Sequence, residues 1–220
     1  MEILFQERIL ATKDWATVLF VLCFILIAIT KTFFEARFNE FLKLLVTDKY
    51  VKIYKDPSHM MSWFTISLFF VQLISFSFFA LILLDHFGLA DKNDSIKFIQ
   101  IITLIGVFVL SKYLIEKIIA TSFKIEEFTE QFNLQKVSYR TFLGLILLPI
   151  NILLYYNDIL PGFIIYFSLF TLLIINAFTY ILSLKKYQNL LFSKMFYFIL
   201  YLCALEIAPY YFMYYWFTRR

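Results

Sequence analysis

The stretch MSWFTISLFFVQLISFSFFALILL, residues 61–84, decides the fold, because it contains no charged side chain. A membrane-spanning helix needs about 20 mainly apolar residues, since the hydrocarbon core is about 30 Å thick and each helical residue rises about 1.5 Å. A strand of a membrane barrel would instead alternate apolar and polar residues over a short run, and this stretch does not alternate. It therefore predicts a transmembrane α-helix.

Five other stretches of the chain have the same apolar character. The composition agrees, because the 220 residues are 62% hydrophobic and 16% charged, whereas a soluble domain is about half apolar and about a quarter charged. The six predicted spans are residues 15–35, 61–84, 97–118, 141–157, 161–184 and 192–217. The fold class that follows is an all-α membrane protein, a bundle of six transmembrane helices that forms one domain, 1–220.

The two longest segments between the predicted spans are expected to be amphipathic linker helices. In both, large apolar side chains recur at helical spacing and charged residues occupy the other faces. The first linker, 34–55, has the pattern at Phe34, Phe38, Phe41, Leu42 and Leu45, against Glu35, Arg37, Glu40 and Lys43. The second linker, 120–139, has a weaker pattern at Phe123, Phe128 and Phe132.

The distribution of lysine and arginine predicts the orientation. Fourteen of the 20 basic residues lie at the ends of spans one, three and five and in the segments that follow them. Because cytoplasmic loops carry the excess of Lys and Arg, we expect both linker helices in the cytoplasm and both termini in the periplasm of a bacterial inner membrane. The net charge of +4 forms no separate basic face, which argues against nucleic acid as a partner.

The sequence contains none of the usual signatures of soluble enzymes, such as a phosphate-binding loop or HExxH. The two histidines, His59 and His86, fall on opposite predicted faces of the membrane, so a shared metal site is not expected. Cys23 and Cys203 both lie inside apolar runs and are expected to be buried thiols rather than a disulfide. No catalytic residue, metal or cofactor is therefore predicted.

The strongest candidate for a functional side chain is Glu206, which lies in the last predicted span three residues before Pro209. An ionisable group inside a membrane costs about 2.5–3.5 kcal/mol on insertion scales and is a candidate functional site by default. Pro209 removes the hydrogen bond to the carbonyl of Leu205, so a protonated Glu206 has a local acceptor. Other spans add the polar side chains Gln72, Asn151 and Asn176.

Two smaller features complete the candidates. Pro149 is expected to kink the fourth span much as Pro209 kinks the sixth. Lys112 and Glu116 stand four residues apart on one face of the third span, so they can form an ion pair within the helix. Lys112 lies near the predicted cytoplasmic surface, where its side chain reaches water by extending along the helix.

Two interpretations of the intramembrane polar residues are open. In one, Glu206, Gln72, Asn151 and Asn176 form a cluster that conducts protons or binds a small substrate. In the other, the polar groups form hydrogen bonds between helices, worth about 0.6 kcal/mol each, and fix the packing. The second interpretation is favoured, because transporters normally show internal repeats or several paired charges, and the sequence has no convincing inverted repeat.

Three segments together resemble one family. They are ARFNEFLKLLVTDKYVKIY (36–54), VSYRTFLGLILLPINILLYY (137–156) and FYFILYLCALEIAPYYFMYY (196–215), the last of which contains Glu206-Ile207-x-Pro209. In this order they look like the uncharacterised integral membrane proteins of Bacteroidetes that are known as a domain of unknown function. The resemblance covers most of the chain. It implies an inner-membrane helical bundle, and it implies no activity.

Three functions are compatible with these observations. The leading expectation is a non-enzymatic subunit or assembly factor of an inner-membrane complex, whose aromatic, glycine-poor spans pack against other subunits, a second copy or the lipid bilayer. The alternative is a small transporter or proton-coupled carrier that uses Glu206. The third is a lipid-modifying enzyme whose basic linkers hold anionic head groups.

Overall fold

The computed structural model describes residues 13–44, 49–54, 62–122, 126–157 and 162–186, together with residue 215. The helices are α1 (Asp14–Phe33), α2 (Glu35–Leu42), α3 (Lys49–Ile53), α4 (Trp63–His86), α5 (Ser95–Ser122), α6 (Glu126–Tyr156) and α7 (Gly162–Lys186). No strand occurs within these ranges. The prediction of an all-α protein is therefore confirmed.

Four of the described helices are long and apolar enough to cross a membrane: α1, α4, α5 and the part of α6 from Phe132 to Tyr156. The described apolar part of α7, Gly162–Ala177, is shorter. Length and composition thus indicate a membrane-embedded protein. The sixth predicted span, 192–217, lies outside the described residues except for Tyr215.

The predicted limits are most accurate where the apolar run and the helix end together. α1 and α4 begin and end within about two residues of the predicted spans 15–35 and 61–84. α6 differs, because it runs from Glu126 to Tyr156 without a break. Most of the predicted linker 120–139 and the predicted span 141–157 are therefore one helix. Backbone hydrogen bonding continues where the side chains change from polar to apolar, so a change of composition marks a membrane boundary rather than a helix end.

The other predicted linker, 34–55, contains two short helices, α2 and α3, rather than one. Phe34 separates α1 from α2 with a non-helical backbone, φ −129° and ψ 45°. Phe38 and Phe41 are buried, as the apolar pattern predicts. The pattern predicts that Arg37 lies on another face of the helix, and this prediction is wrong because Arg37 is buried beside them.

A loop of residues 87–94 joins α4 to α5. At its start, Gly88 has φ 70°, a left-handed conformation that glycine adopts without steric cost. At its end, Asp94 Oδ1 accepts hydrogen bonds from the backbone N–H groups of Ile96 at 2.9 Å and Lys97 at 3.2 Å. These N–H groups have no partner within a helix, so Asp94 determines where α5 begins.

α4 is the central helix and packs against α1, α5 and α6. Its two halves belong to different buried clusters. The aromatic end of the bundle is defined by Trp15, Phe20, Phe78, Phe98 and Tyr155. The charged end is defined by Arg37, Lys112, Glu116, Lys136 and Arg140, which lie towards the opposite ends of the same antiparallel bundle.

Candidate functional site

The α4–α6 seam, where these two helices meet, contains two of the predicted polar residues. Gln72 of α4 accepts a hydrogen bond of 2.9 Å from the hydroxyl of Thr141 on α6, and both side chains are buried. Gly144 lies so close to α4 that a Cβ atom there would be 2.8 Å from Gln72 Cα. The two backbones therefore approach each other at a distance that only glycine permits.

Asn151 lies further along the same seam and is fully buried. Its Nδ2 donates to the backbone oxygen of Ser75 at 2.7 Å and to Ser75 Oγ at 3.2 Å. Its Oδ1 has no hydrogen-bond partner among the described residues. A buried amide oxygen without a donor is costly, so this atom is a point at which a further donor can bind.

The remaining candidates are not seen to join this pair. Asn176 donates to the backbone oxygen of Leu172 on its own helix, α7, at 2.9 Å. Glu206 and Pro209 lie outside the described residues. Pro149 lies inside α6 and does not end it. Of the predicted cluster, the structure thus places Gln72 and Asn151 on one seam, and each has its own partner.

Arg37 is the centre of a polar network at the charged end, and only 7% of it is exposed. Its guanidinium donates to Ser62 Oγ at 2.8 Å, Thr65 Oγ1 at 3.2 Å and the Tyr50 hydroxyl at 3.3 Å. Its Cζ lies 4.4 Å from the centroid of the Phe64 ring. Hydrogen bonds and cation–π contact replace the lost water. Arg37 thereby ties α2 and α3 to the start of α4.

Tyr50 extends this network to α6. Burial raises the pKa of the Tyr50 hydroxyl above its ordinary value of 10.0, while the positive charge of Arg37 acts to lower it. The hydroxyl also forms a hydrogen bond with Ser138, which donates to the backbone oxygen of Leu134 at 2.8 Å. The phenol is neutral at physiological pH, so its role here is to connect helices.

Glu116 and Lys136 form an ion pair between α5 and α6, with Oε1 and Nζ 3.5 Å apart. Glu116 is 4% exposed and Lys136 is 9% exposed. Lys112, one turn before Glu116 on α5, is 6% exposed. The expectation that Lys112 reaches water is wrong, because α6 covers this face of α5. Glu116 has a partner on the neighbouring helix, which spacing along α5 does not reveal.

Two small cavities lie between α5 and α6 at the charged end. The inner cavity, of about 40 Å³, is lined by Lys112, Glu116, Lys136 and Arg140. The outer cavity, of about 100 Å³, is lined by Lys117, Glu126 and Glu130, and Tyr113 and Asn133 border both. A space that holds one water needs about 10–15 Å³. Both cavities are therefore large enough for small polar molecules, whereas Gly144 closes the α4–α6 seam.

The described polar side chains form hydrogen bonds and ion pairs rather than a metal site. Within the described ranges, no group of three or more His, Cys, Asp and Glu side chains is placed to hold a metal ion. Cys23 is a buried free thiol, as expected. His86 packs edge-on against Tyr166, with ring centroids 5.2 Å apart.

Comparison with known proteins identifies the family to which the chain belongs. One family model matches residues 16–217, nearly the whole sequence, and its description is a domain of unknown function, DUF4271. The chain belongs to the DUF4271 family. No curated protein and no solved structure matches it. Membership in DUF4271 thus confirms an uncharacterised family and supplies no activity.

The sequence of this DUF4271 protein contains spacing that indicates further site residues, Arg37, Lys136 and Arg140, which the sequence analysis did not identify. Arg37 stands three residues after Phe34 and four before Phe41, so it occupies the apolar stripe of α2 rather than the opposite face. Lys136 and Arg140 are four residues apart on α6, as Lys112 and Glu116 are on α5. That these two pairs face each other requires knowledge of which helices are neighbours.

Proposed function

We propose that this DUF4271 protein is a non-enzymatic subunit or assembly factor of a membrane protein complex in a bacterial inner membrane. The observation that supports this most directly is the α4–α6 seam, where Gln72 bonds Thr141 and Gly144 leaves no room for a side chain. Two of the polar residues that a carrier would present to a substrate, Gln72 and Asn151, form hydrogen bonds between helices here. Interhelical hydrogen bonds of this kind support a structural role.

The exposed face of α5 supports the same proposal. Only 11% of the apolar window of α5 is buried, compared with 56% for α4, so α5 contributes little to the described core. Its exposed side chains include Ile99, Val107 and Leu114. In a bilayer such a face contacts lipid or a neighbouring helix, and a subunit of a complex requires a face of this kind.

Photo-crosslinking from α5 tests the proposal. A photoreactive residue at Val107, which is exposed, should crosslink to one membrane protein chain or to a second copy, in a complex that persists in mild detergent. The same residue at Leu147, which is 0% exposed, is the control and should crosslink only within the chain. A monodisperse monomer that crosslinks solely to lipid at Val107 would contradict the proposal.

The alternative is a small transporter or proton-coupled carrier that uses Glu206. The observation that favours it is Asn151 Oδ1, a buried acceptor without a donor among the described residues, because a substrate or a protonated carboxyl can donate to it. In proteoliposomes, uptake by the native protein should be lost in Glu206→Gln while the variant remains folded. Absence of uptake across a broad panel of small solutes would rule this alternative out.

We further propose that the charged end faces the cytoplasm and that both termini lie in the periplasm of a member of the Bacteroidetes. The excess of lysine and arginine on one side of the bundle supports the orientation. The Glu206-Ile207-x-Pro209 ending supports the origin. Alkaline phosphatase fused to the C-terminus should be active, and green fluorescent protein fused there should be dark. The reverse result would place the C-terminus in the cytoplasm.

A further inference from the structure

We propose that the inner cavity of the charged end binds a phosphate group, carried by an anionic lipid or by a soluble phosphate. Among the described residues, the charged groups that line this cavity are Lys112, Lys136 and Arg140, against the one carboxylate of Glu116. The formal charge around the cavity is therefore three positive charges less one negative charge. This inference goes beyond the proposed function, because a subunit role does not require a ligand at this site.

The buried positive charges are what make the cavity an anion site. Lys112 and Lys136 are both more than nine-tenths buried, and a cation removed from water needs compensating charge or hydrogen bonds. The Glu116–Lys136 distance of 3.5 Å is long for a charge-assisted hydrogen bond, which is about 2.7–2.9 Å. The three cations outnumber this one carboxylate among the described lining residues, so the described lining carries a net positive charge.

Arg140 supplies the geometry that phosphate recognition requires. It is partly exposed and has no hydrogen-bond or ion-pair partner among the described residues. A guanidinium presents a planar fork of N–H donors that matches two phosphate oxygens. The ammonium groups of Lys112 and Lys136 line the same cavity and supply further donors to the remaining oxygens.

The depth of the cavity matches the level of lipid phosphates. Lys112 lies about 26 Å along α5 from Ser95, and Arg140 lies about 24 Å along α6 from Tyr156, at about 1.5 Å per residue. The hydrocarbon core is about 30 Å thick, so helices that enter it at the aromatic end bring these cations close to its other edge. Basic pockets between transmembrane helices at this level bind acidic head groups.

The outer cavity differs from the inner one in its charge. Its charged lining consists of Lys117 with Glu126 and Glu130, so its formal charge is negative. An anion is therefore favoured in the inner cavity and disfavoured in the outer one. The inner volume of about 40 Å³ is a few times the space that one water needs, which suits a single phosphate group and not a nucleotide.

Binding measurements on the full chain test this assignment. One arm places the protein in nanodiscs of phosphatidylcholine alone or of equal parts phosphatidylcholine and phosphatidylglycerol, and counts retained phosphatidylglycerol by native mass spectrometry. The other arm titrates inorganic phosphate into the detergent-solubilised protein by calorimetry. Arg140→Gln and Lys136→Gln should each weaken binding about five- to tenfold in the arm that shows binding.

Lys97→Gln is the matched control, because Lys97 is exposed at the other end of the same helix and loses the same charge. Its binding should equal that of the native protein. Retention of phosphatidylglycerol identifies a lipid source, and a phosphate heat signal identifies a soluble source. The proposal is overturned by absence of binding in both arms, by equal binding in Arg140→Gln and the native protein, or by an equal loss in Lys97→Gln. Arg140→Gln decides the matter if Lys136→Gln does not fold, since Arg140 is partly exposed.

Discussion

The buried side chains at the two ends of the bundle make different kinds of contact. At the aromatic end, the Phe78 ring lies 4.3 Å from that of Phe20 and 4.5 Å from that of Phe98, centroid to centroid. At the charged end, Arg37 is surrounded by hydroxyls and rings, and Glu116 pairs with Lys136. Aromatic rings are stabilised by burial and by contact with other rings, whereas a buried charge needs donors or acceptors within hydrogen-bond distance. Both ends therefore contribute to stability, and the charged end also contains the cavity for which we propose phosphate binding.

The largest expected effect is at the aromatic end. Phe78→Ala removes a ring that is 0% exposed and leaves a cavity among its neighbours. It should lower the free energy of unfolding by about 3–5 kcal/mol, measured by chemical unfolding in detergent micelles. Phe70→Ala on the same helix is the control, because Phe70 is 54% exposed. Equal losses for the two variants would show that α4 is not packed as described.

The next effect breaks the charged end. Arg37→Ala removes the guanidinium that donates to Tyr50, Ser62 and Thr65. It should cost about 2–4 kcal/mol, since these bonds are charge-assisted and the hydroxyls are left without their donor. Arg37→Lys should recover part of this loss, because it restores the charge without the planar fork. Lys31→Ala, at an exposed position, should leave stability unchanged, and an equal loss there would contradict the assignment.

The third effect concerns the seam that connects the two ends. Gly144→Ala places a Cβ atom 2.8 Å from Gln72 Cα and should destabilise the protein by about 1–3 kcal/mol, because the backbones must separate. Gly106→Ala is a matched control in α5, where the new Cβ would lie 3.5 Å from Leu73 Cδ1, an ordinary contact. Alanine there should be neutral or stabilising by up to about 1 kcal/mol. A stable Gly144→Ala variant would show that the seam is looser than described.

The smallest effect is that of one side chain, Asn151, that forms hydrogen bonds between helices. Asn151→Leu removes the hydrogen bonds from Nδ2 to Ser75, which lowers stability. It also removes the buried Oδ1 that has no donor among the described residues, which partly offsets this loss. The expected loss of stability is about 0.6 kcal/mol, measured as a shift in the same unfolding transition. Asn157→Leu is the control, because Asn157 is exposed directly after α6 and, among the described residues, its side chain bonds only to Leu153. A loss above that of Gly144→Ala would give Asn151 a larger role than packing.

Prediction from sequence succeeded where a local property decides the structure. The limits of α1 and α4 follow from the apolar runs 15–35 and 61–84, because each run must match the thickness of the bilayer. The prediction of a separate linker helix and span was wrong for α6, which is one continuous helix. Hydropathy changes at the membrane surface while the helix continues. It was wrong about Arg37, because a charged residue in an apolar stripe is buried only when neighbouring helices supply its partners.

The candidate site was predicted less well than the fold. Gln72 and Asn151 were identified as polar residues within spans, and the structure places both on one seam. Their partners, Thr141 and Ser75, belong to helices far apart in the chain, so spacing does not reveal them. Glu206 lies outside the described residues, and its role stays a prediction.

The sequence by itself determined that the chain is helical and membrane-embedded, because a long apolar run in lipid satisfies its own backbone groups when it is a helix. The match over residues 16–217 determined its membership in an uncharacterised family. Tertiary structure alone decided which polar residues meet. Gly144 became a contact point only because α4 lies against it, and Lys112, Lys136 and Arg140 became one cavity lining only because α5 and α6 are antiparallel neighbours. Hydropathy is summed along one helix, whereas a hydrogen bond, a close contact or a binding cavity depends on distances between helices.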